Sequence, residues 1–148
     1  PGIMLYGISP FANRTAQDLG LEPVMTLMSQ IIAVNTVSAG EAIGYGASWV
    51  CPEEMRVGVI GMGYGDGYPR HARPGTPILV AGQRVPLIGR VSMDALYVDL
   101  RSSPKTLPGD PVTLWGEGLP IEEVARAAGT IGYELTCKIT NRVKRFYD

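Results

Sequence analysis

The chain is poor in the residues that most metal and redox sites need. Its 148 residues include one histidine, His71, and two cysteines, Cys51 and Cys137, far apart and without Cys-x-x-Cys spacing. This excludes a His-rich metal cluster, so no metal is expected. It also gives no reason for a disulfide, and a reducing, cytoplasmic setting is the simplest expectation. No apolar run reaches the ~18 residues that a membrane-spanning helix requires, so no membrane partner is expected. Charge of one sign is missing as well. The 13 Lys and Arg against 14 Asp and Glu give a formal net charge of −1, with no electrostatic footprint for nucleic acid. Charged residues are 18% of the chain and hydrophobic ones 45%, which leaves apolar surface to be buried against a partner. Lysine is scarce too. Ten of the thirteen basic residues are arginine, which suits fixed, bidentate contacts to carboxylate or phosphate.

Glycine and proline, by contrast, are plentiful at 19 and 12 residues. They punctuate the chain every 8 to 15 residues, which predicts a mainly β fold, a barrel or sandwich of antiparallel strands. Strands are expected at 24–37, 55–62 and 110–115, with a hairpin about Gly82 joining 76–80 to 83–88. Alternation over 92–100 predicts a half-buried strand. Near the end the period changes. Pro120 and two acids before Val124, with Gly129 after Ala128, predict a short helix over 121–128. Thr130 is expected to cap a second helix through Glu134 and Cys137, and 142–147 to close the fold as a strand. Residues 2–7 look like the end of some other element, followed by a linker containing Pro10, Asn13 and Gly20. The length allows one domain and a remnant of another, and the opening Pro1-Gly2-Ile3 reads as a fragment of a longer protein.

Two short blocks carry most of the chemical signal. Gly44-Tyr45-Gly46 and Gly63-Tyr64-Gly65-Asp66-Gly67-Tyr68-Pro69-Arg70 each set a tyrosine between glycines. Such a tyrosine is unshielded by its neighbours. It is either an aromatic packed over a turn or a hydroxyl projected into a shared cleft. A phenol has an ordinary pKa near 10, so use as a base demands a tuned environment. The 63–67 loop could cradle phosphate on its backbone N–H groups. It lacks G-x-G-x-x-G spacing and a following helix, so it is not a dinucleotide fingerprint. Asp66 could cap that loop or bind an arginine, and His71 reads as a solvated loop residue. In Gly89-Arg90-Val91-Ser92-Met93-Asp94, Arg90 and Asp94 can form a salt bridge or serve a substrate.

These blocks, together with Pro1-Gly2-Ile3-Met4-Leu5-Tyr6-Gly7, Val85-Pro86 and Arg142-Val143, resemble the C-terminal domain of alanine racemase. They run in family order over nearly the whole chain. The resemblance implies a pyridoxal 5′-phosphate enzyme that interconverts L- and D-alanine through an aldimine, by two bases on opposite faces. It implies that residues 1–20 are the end of an N-terminal (β/α)8 barrel plus linker and 21–148 a C-terminal β domain. The enzyme would be a homodimer with sites shared between subunits. Tyr45 would be the catalytic tyrosine offered to the partner's site. The Met93 backbone N–H, with Asp94 at the same corner, would bind the substrate carboxylate. Tyr64, Arg70 and Arg90 would line the entrance, and Gly2 and Ile3 would donate backbone N–H groups to the cofactor phosphate.

Three departures stand beside the resemblance. The cofactor lysine has no counterpart, since Lys105, Lys138 and Lys144 lie outside matching motifs. The family arginine at the pyridine nitrogen precedes the Pro-Gly-Ile block. Asn141 stands where some members have a phosphate-binding tyrosine. The isolated chain is therefore expected to be inactive. Alternatives are a racemase of other amino acids or, for the isolated chain, a non-catalytic dimerisation module.

Overall fold

The computed structural model describes residues 2–147. Eight strands form in order: β1 (Leu27–Val37), β2 (Ala42–Ile43), β3 (Trp49–Val50), β4 (Met55–Ile60), β5 (Pro77–Val80), β6 (Gln83–Ile88), β7 (Leu96–Asp99) and β8 (Pro111–Trp115). Helices α1 (Ile121–Ala128) and α2 (Gly132–Lys138) follow. Six strands close an antiparallel barrel in the order β1-β4-β7-β6-β5-β8, so the mainly β expectation holds and the architecture is a barrel. Closure depends on β1. Its first half pairs with β8 (Met28 opposite Thr113) and its second half with β4 (Val34 opposite Gly58), with register shifts that let one eleven-residue strand serve both neighbours. The β5–β6 hairpin turns on Ala81 and Gly82, both at positive φ, the geometry whose twist matches paired strands.

The interior is filled by branched aliphatics from alternating positions, among them Ile31, Ile60, Ile78, Leu87, Val98 and Leu114, with Trp115 the largest wholly buried side chain. Helix α1 lays Ile121, Val124, Ala125 and Ala128 onto this core, the i, i+3, i+4, i+7 stripe of an amphipathic helix. Gly129 ends it in the left-handed conformation.

Several expectations are corrected. Strand β7 begins at Leu96, because Ser92–Ala95 is a tight turn closed by the Ser92 N–H donating to the Ala95 carbonyl (3.0 Å). Helix α2 is preceded by Ile131. The Thr130 hydroxyl bonds the Glu134 carboxylate rather than capping the backbone. No strand forms after Arg142 within the described residues, and Phe146 and Tyr147 are exposed with nothing to pair against. Residues 2–22 are fastened to the domain. Ile3 and Ile8 join the main core, the Val24 N–H donates to the Tyr6 carbonyl (3.3 Å), and the Ser9 N–H donates to Glu122 (2.9 Å).

Candidate functional site

Two loops present the candidate residues, and each is built on a different device. The first is a flap, residues 38–54, whose stem is the two-residue pairing of β2 with β3 (Ala42 opposite Val50, Ile43 opposite Trp49). Below the stem, Ile43, Cys51, Met55, Val57 and Ile88 form a small apolar cluster separate from the barrel core, flanked by Val37, Trp49 and Tyr97. At its tip Gly44 has φ 77° and ψ −179°, a conformation open to glycine alone, and delivers the chain into a tight turn over Tyr45–Ala47. Tyr45 is 72% exposed there. Among the described residues its hydroxyl has no hydrogen-bond partner.

Arg90 stands beside the same tip. The backbones of 43–44 and 89–90 approach so closely that a Cβ on Gly44 would lie 3.2 Å from Arg90 N and one on Gly89 3.1 Å from the Ile43 carbonyl oxygen. The Arg90 guanidinium lies over Gly46, 3.6 Å from where a Cβ would stand. Arg90 and Asp94 do not pair with each other. A second arginine braces the base of the flap. Arg101 binds both oxygens of the buried Asp99 carboxylate at the end of β7, and its other arm reaches Glu53. The hydrogen bonds it donates to Asp99, followed by the one to Glu53, hold the guanidinium well above its usual range.

The second loop, 61–70, is pressed into the body of the molecule. Its glycines do not form an anion cradle. The Tyr64 N–H donates to the Ser92 carbonyl (3.0 Å), the Gly65 N–H to the Met93 carbonyl (2.9 Å), and the Gly63 N–H to the Asp66 carboxylate (2.9 Å). The Asp66, Gly67 and Tyr68 amides are likewise spent inside the loop. The phosphate reading of this loop is therefore corrected: its donors are already used. The glycines serve close approach to the chain's own backbone, since a Cβ on Gly63 would sit 2.3 Å from the Met93 carbonyl oxygen. Tyr68 plugs the loop into the barrel, 1% exposed and stacked on Trp115 at 6.0 Å between ring centroids. Burial pushes its phenol far up in pKa, and neither its hydroxyl nor the Trp115 indole N–H has a partner among the described residues.

Tyr64 and Arg70 face each other on the rim of this loop, the guanidinium carbon 6.0 Å from the ring centroid, within cation–π range. Met93 and Asp94 form the adjoining corner and are exposed. The Met93 carbonyl is taken by Gly65, while its N–H has no acceptor among the described residues. Residues 89–94 connect both loops, with Arg90 against the flap and Met93 against the glycine loop. Asp66 caps the loop, as expected. It also pairs with Arg142 (3.2 Å), which reaches Asp94 as well. The hydrogen bond to Asp94, with the Asp66 charge, holds the Arg142 guanidinium above its usual range.

Gly2 and Ile3 begin a short 3-10 helix, so their N–H groups have no acceptor within it. Space is open around Gly2. Among the lysines, Lys138 pairs with Glu134 one turn back within α2. His71 lies 3.9 Å from Glu134. No three His, Cys, Asp or Glu side chains among the described residues could hold a metal ion, and no helix there is long and apolar enough to cross a membrane. Sequence reasoning allowed Asp66 an arginine without naming Arg142, and it missed the reach of Arg142 to Asp94 and the Arg101 bridges. Arg142 was visible within a matching block, but no periodicity links it to Asp66 and Asp94.

Comparison with known proteins bears on the whole chain. The family profile described as "Alanine racemase, C-terminal domain" matches residues 24–147. An alanine racemase of Nitrosococcus oceani is 61% identical over 145 residues, covering 98% of this chain and 41% of the relative. One of Piscirickettsia salmonis is 58% identical over 142 residues, covering 96% of this chain and 86% of the relative. The solved biosynthetic alanine racemase of Pseudomonas aeruginosa superposes with a TM-score of 0.98 at 55% identity, over all of this chain and 41% of that one.

Proposed function

The chain belongs to the alanine racemase C-terminal domain family, and from that premise we propose that it forms part of a pyridoxal 5′-phosphate-dependent alanine racemase that works as a homodimer. The chain spans about two fifths of the Nitrosococcus relative. That supports an arrangement in which residues 1–20 finish an upstream (β/α)8 barrel domain bearing the cofactor lysine and 21–148 form the β domain. The two free thiols accord with a reducing cytoplasm.

The residues present suit one end of the cofactor. The unspent amides of Gly2 and Ile3, with open space around Gly2, would hold its phosphate. When bound, pyridoxal phosphate withdraws electrons from the substrate α-carbon and makes its hydrogen removable. Everything else falls to side chains. A racemase needs a proton acceptor on each face of the α-carbon. Tyr45 serves the face that a lysine from the barrel does not reach: its oxygen takes the proton from L-alanine and returns one when the reaction runs from D-alanine. The Met93 N–H, free of any acceptor among the described residues, orients the substrate carboxylate. Arg70 and Arg90 draw that carboxylate inward, while Tyr64 narrows the passage to favour a small side chain.

The observation that carries this reading is the exposed, unpartnered phenol of Tyr45 on a glycine-flanked tip. A side chain so placed has no partner among the described residues, which leaves it available to a site built by another subunit. In the full-length enzyme, Tyr45→Phe is expected to lower racemisation about 1,000-fold, in the range of a lost general acid–base, with the cofactor absorbance retained. Near-normal turnover would remove Tyr45 from the chemistry. The 148-residue chain alone is expected to show neither racemisation nor an imine band when mixed with the cofactor.

A further inference from the structure

Arg142 is the one basic residue of the matching blocks that the mechanism above leaves without work. It lies four residues beyond α2, on a segment folded back across the glycine loop. The Thr140 N–H donates to the Asp66 carbonyl (3.1 Å) and the Thr140 hydroxyl to the Gly65 carbonyl (3.0 Å), so the segment is fastened to the loop backbone at two points. From there the guanidinium spans two carboxylates on different elements: Asp66 on the loop at 3.2 Å, and Asp94 at the 92–94 turn. It lies directly over Gly65, where a Cβ would stand 2.2 Å from Arg142 Nη1. Gly65 is also the residue whose N–H holds the Met93 carbonyl.

We propose that Arg142 is a positioning residue for substrate binding, a latch that clamps the glycine loop onto the 92–94 turn and so fixes the Met93 amide. The proposal rests on the reading of Met93 given above. Two physical consequences follow from the geometry. The bridge joins the two elements whose carbonyl and amide groups set the orientation of residue 93. It also offsets one of the two negative charges that Asp66 and Asp94 would otherwise present beside the place where a substrate carboxylate must settle. The guanidinium is half exposed, so either ion pair alone adds little to stability. Its effect is on the arrangement of the corner.

The test uses the full-length enzyme carrying Arg142→Met or Arg142→Lys. Arg142→Met is expected to raise the KM for alanine about tenfold while kcat stays within about threefold, the signature of lost binding shared by ground and transition states. Hydrogen exchange read by mass spectrometry is expected to speed up about tenfold or more in peptides covering 61–70 and 92–95, with the barrel strands β1 and β4 unchanged. Arg142→Lys, able to reach one carboxylate, should recover part of the KM. Unchanged exchange in those peptides overturns the latch, as does faster exchange with an unmoved KM. Exchange that rises throughout the barrel also overturns it, because it would make Arg142 a general stabiliser. Tyr45→Phe measured alongside keeps the two readings apart: its turnover tests the racemase assignment, and the exchange rates of 61–70 do not depend on that result.

Discussion

The flap around Tyr45 and the loop around Tyr64 share a Gly-Tyr-Gly sequence and have opposite constructions. The flap stands off the barrel on a stem of two residue pairs, over a small apolar cluster separate from the main core, and its tip meets Gly89 and Arg90. The 61–70 loop is stitched by backbone hydrogen bonds to residues 92–93, plugged into the core by Tyr68 and clamped by Arg142. One device exposes a hydroxyl; the other fixes a corner. The same tripeptide does both because glycine removes Cβ for two different reasons, left-handed backbone at Gly44 and close approach at Gly63.

The largest expected effect that separates the two is catalytic. Tyr45→Phe should abolish most turnover as stated, whereas Tyr64→Phe, which keeps the ring facing Arg70, should change turnover less than about threefold. Steady-state rates in both directions check this, and equal losses would erase the distinction. Next in size is packing. Gly63→Ala must push its methyl into the Met93 carbonyl, and overpacking of this kind costs about 1–3 kcal/mol. Gly40→Ala, in the flap at φ 84° with nothing near its Cβ, should cost only about 1 kcal/mol of backbone strain. Denaturant midpoints of the two variants measure the difference, and a costlier Gly40→Ala would contradict it.

Glycine and proline punctuation around β-branched runs made the barrel strands legible, because each is four to eleven residues long and bounded by a turn. It could not reveal β2 and β3, each two residues long, too short to show such a run. The 92–95 turn looked like strand because Met93 and Ala95 alternate with polar neighbours, yet its carbonyls are used by the glycine loop. The expected strand after Arg142 fails for want of a neighbouring edge. The glycines of 63–67 correctly announced a close approach. What they approach, the chain's own turn at 92–93, is a tertiary fact absent from local spacing. Arg142 escaped notice for the same reason, since Asp66 and Asp94 lie tens of residues away, and so did the reach of Arg101 to Glu53, although its other partner, Asp99, is only two residues back.

A smaller effect probes the flap's base. Cys51 is buried beneath it and Cys137 is exposed. Burial, with the Glu41 and Asp99 charges, pushes the Cys51 thiol up, and Arg101 opposes that shift. Cys51 should therefore alkylate at least about 100-fold more slowly than Cys137. Removing Arg101 would by charge alone slow Cys51 further. A several-fold acceleration in Arg101→Met, followed by peptide mass spectrometry, would therefore report a loosened flap, and a slower reaction would show that Arg101 does not brace it. The smallest effect concerns Tyr68. Its folded-state pKa is raised, so its contribution is fully present below the unfolded value near 10 and is lost as pH rises from there toward the folded value. Tyr68→Phe should be nearly neutral at pH 7, since the hydroxyl has no partner, and should flatten the fall in stability above about pH 10.

The central claim is that Tyr45 works in the neighbouring subunit, and subunit mixing tests it most directly. Full-length Tyr45→Phe homodimers and homodimers lacking the barrel's cofactor lysine should each be inactive. Dissociated and reassembled together in equal amounts, half the dimers become hybrids with one intact site each, and activity should return to about a quarter of the wild-type value. If Tyr45 acts within its own subunit, no hybrid holds a complete site and the mixture stays inactive.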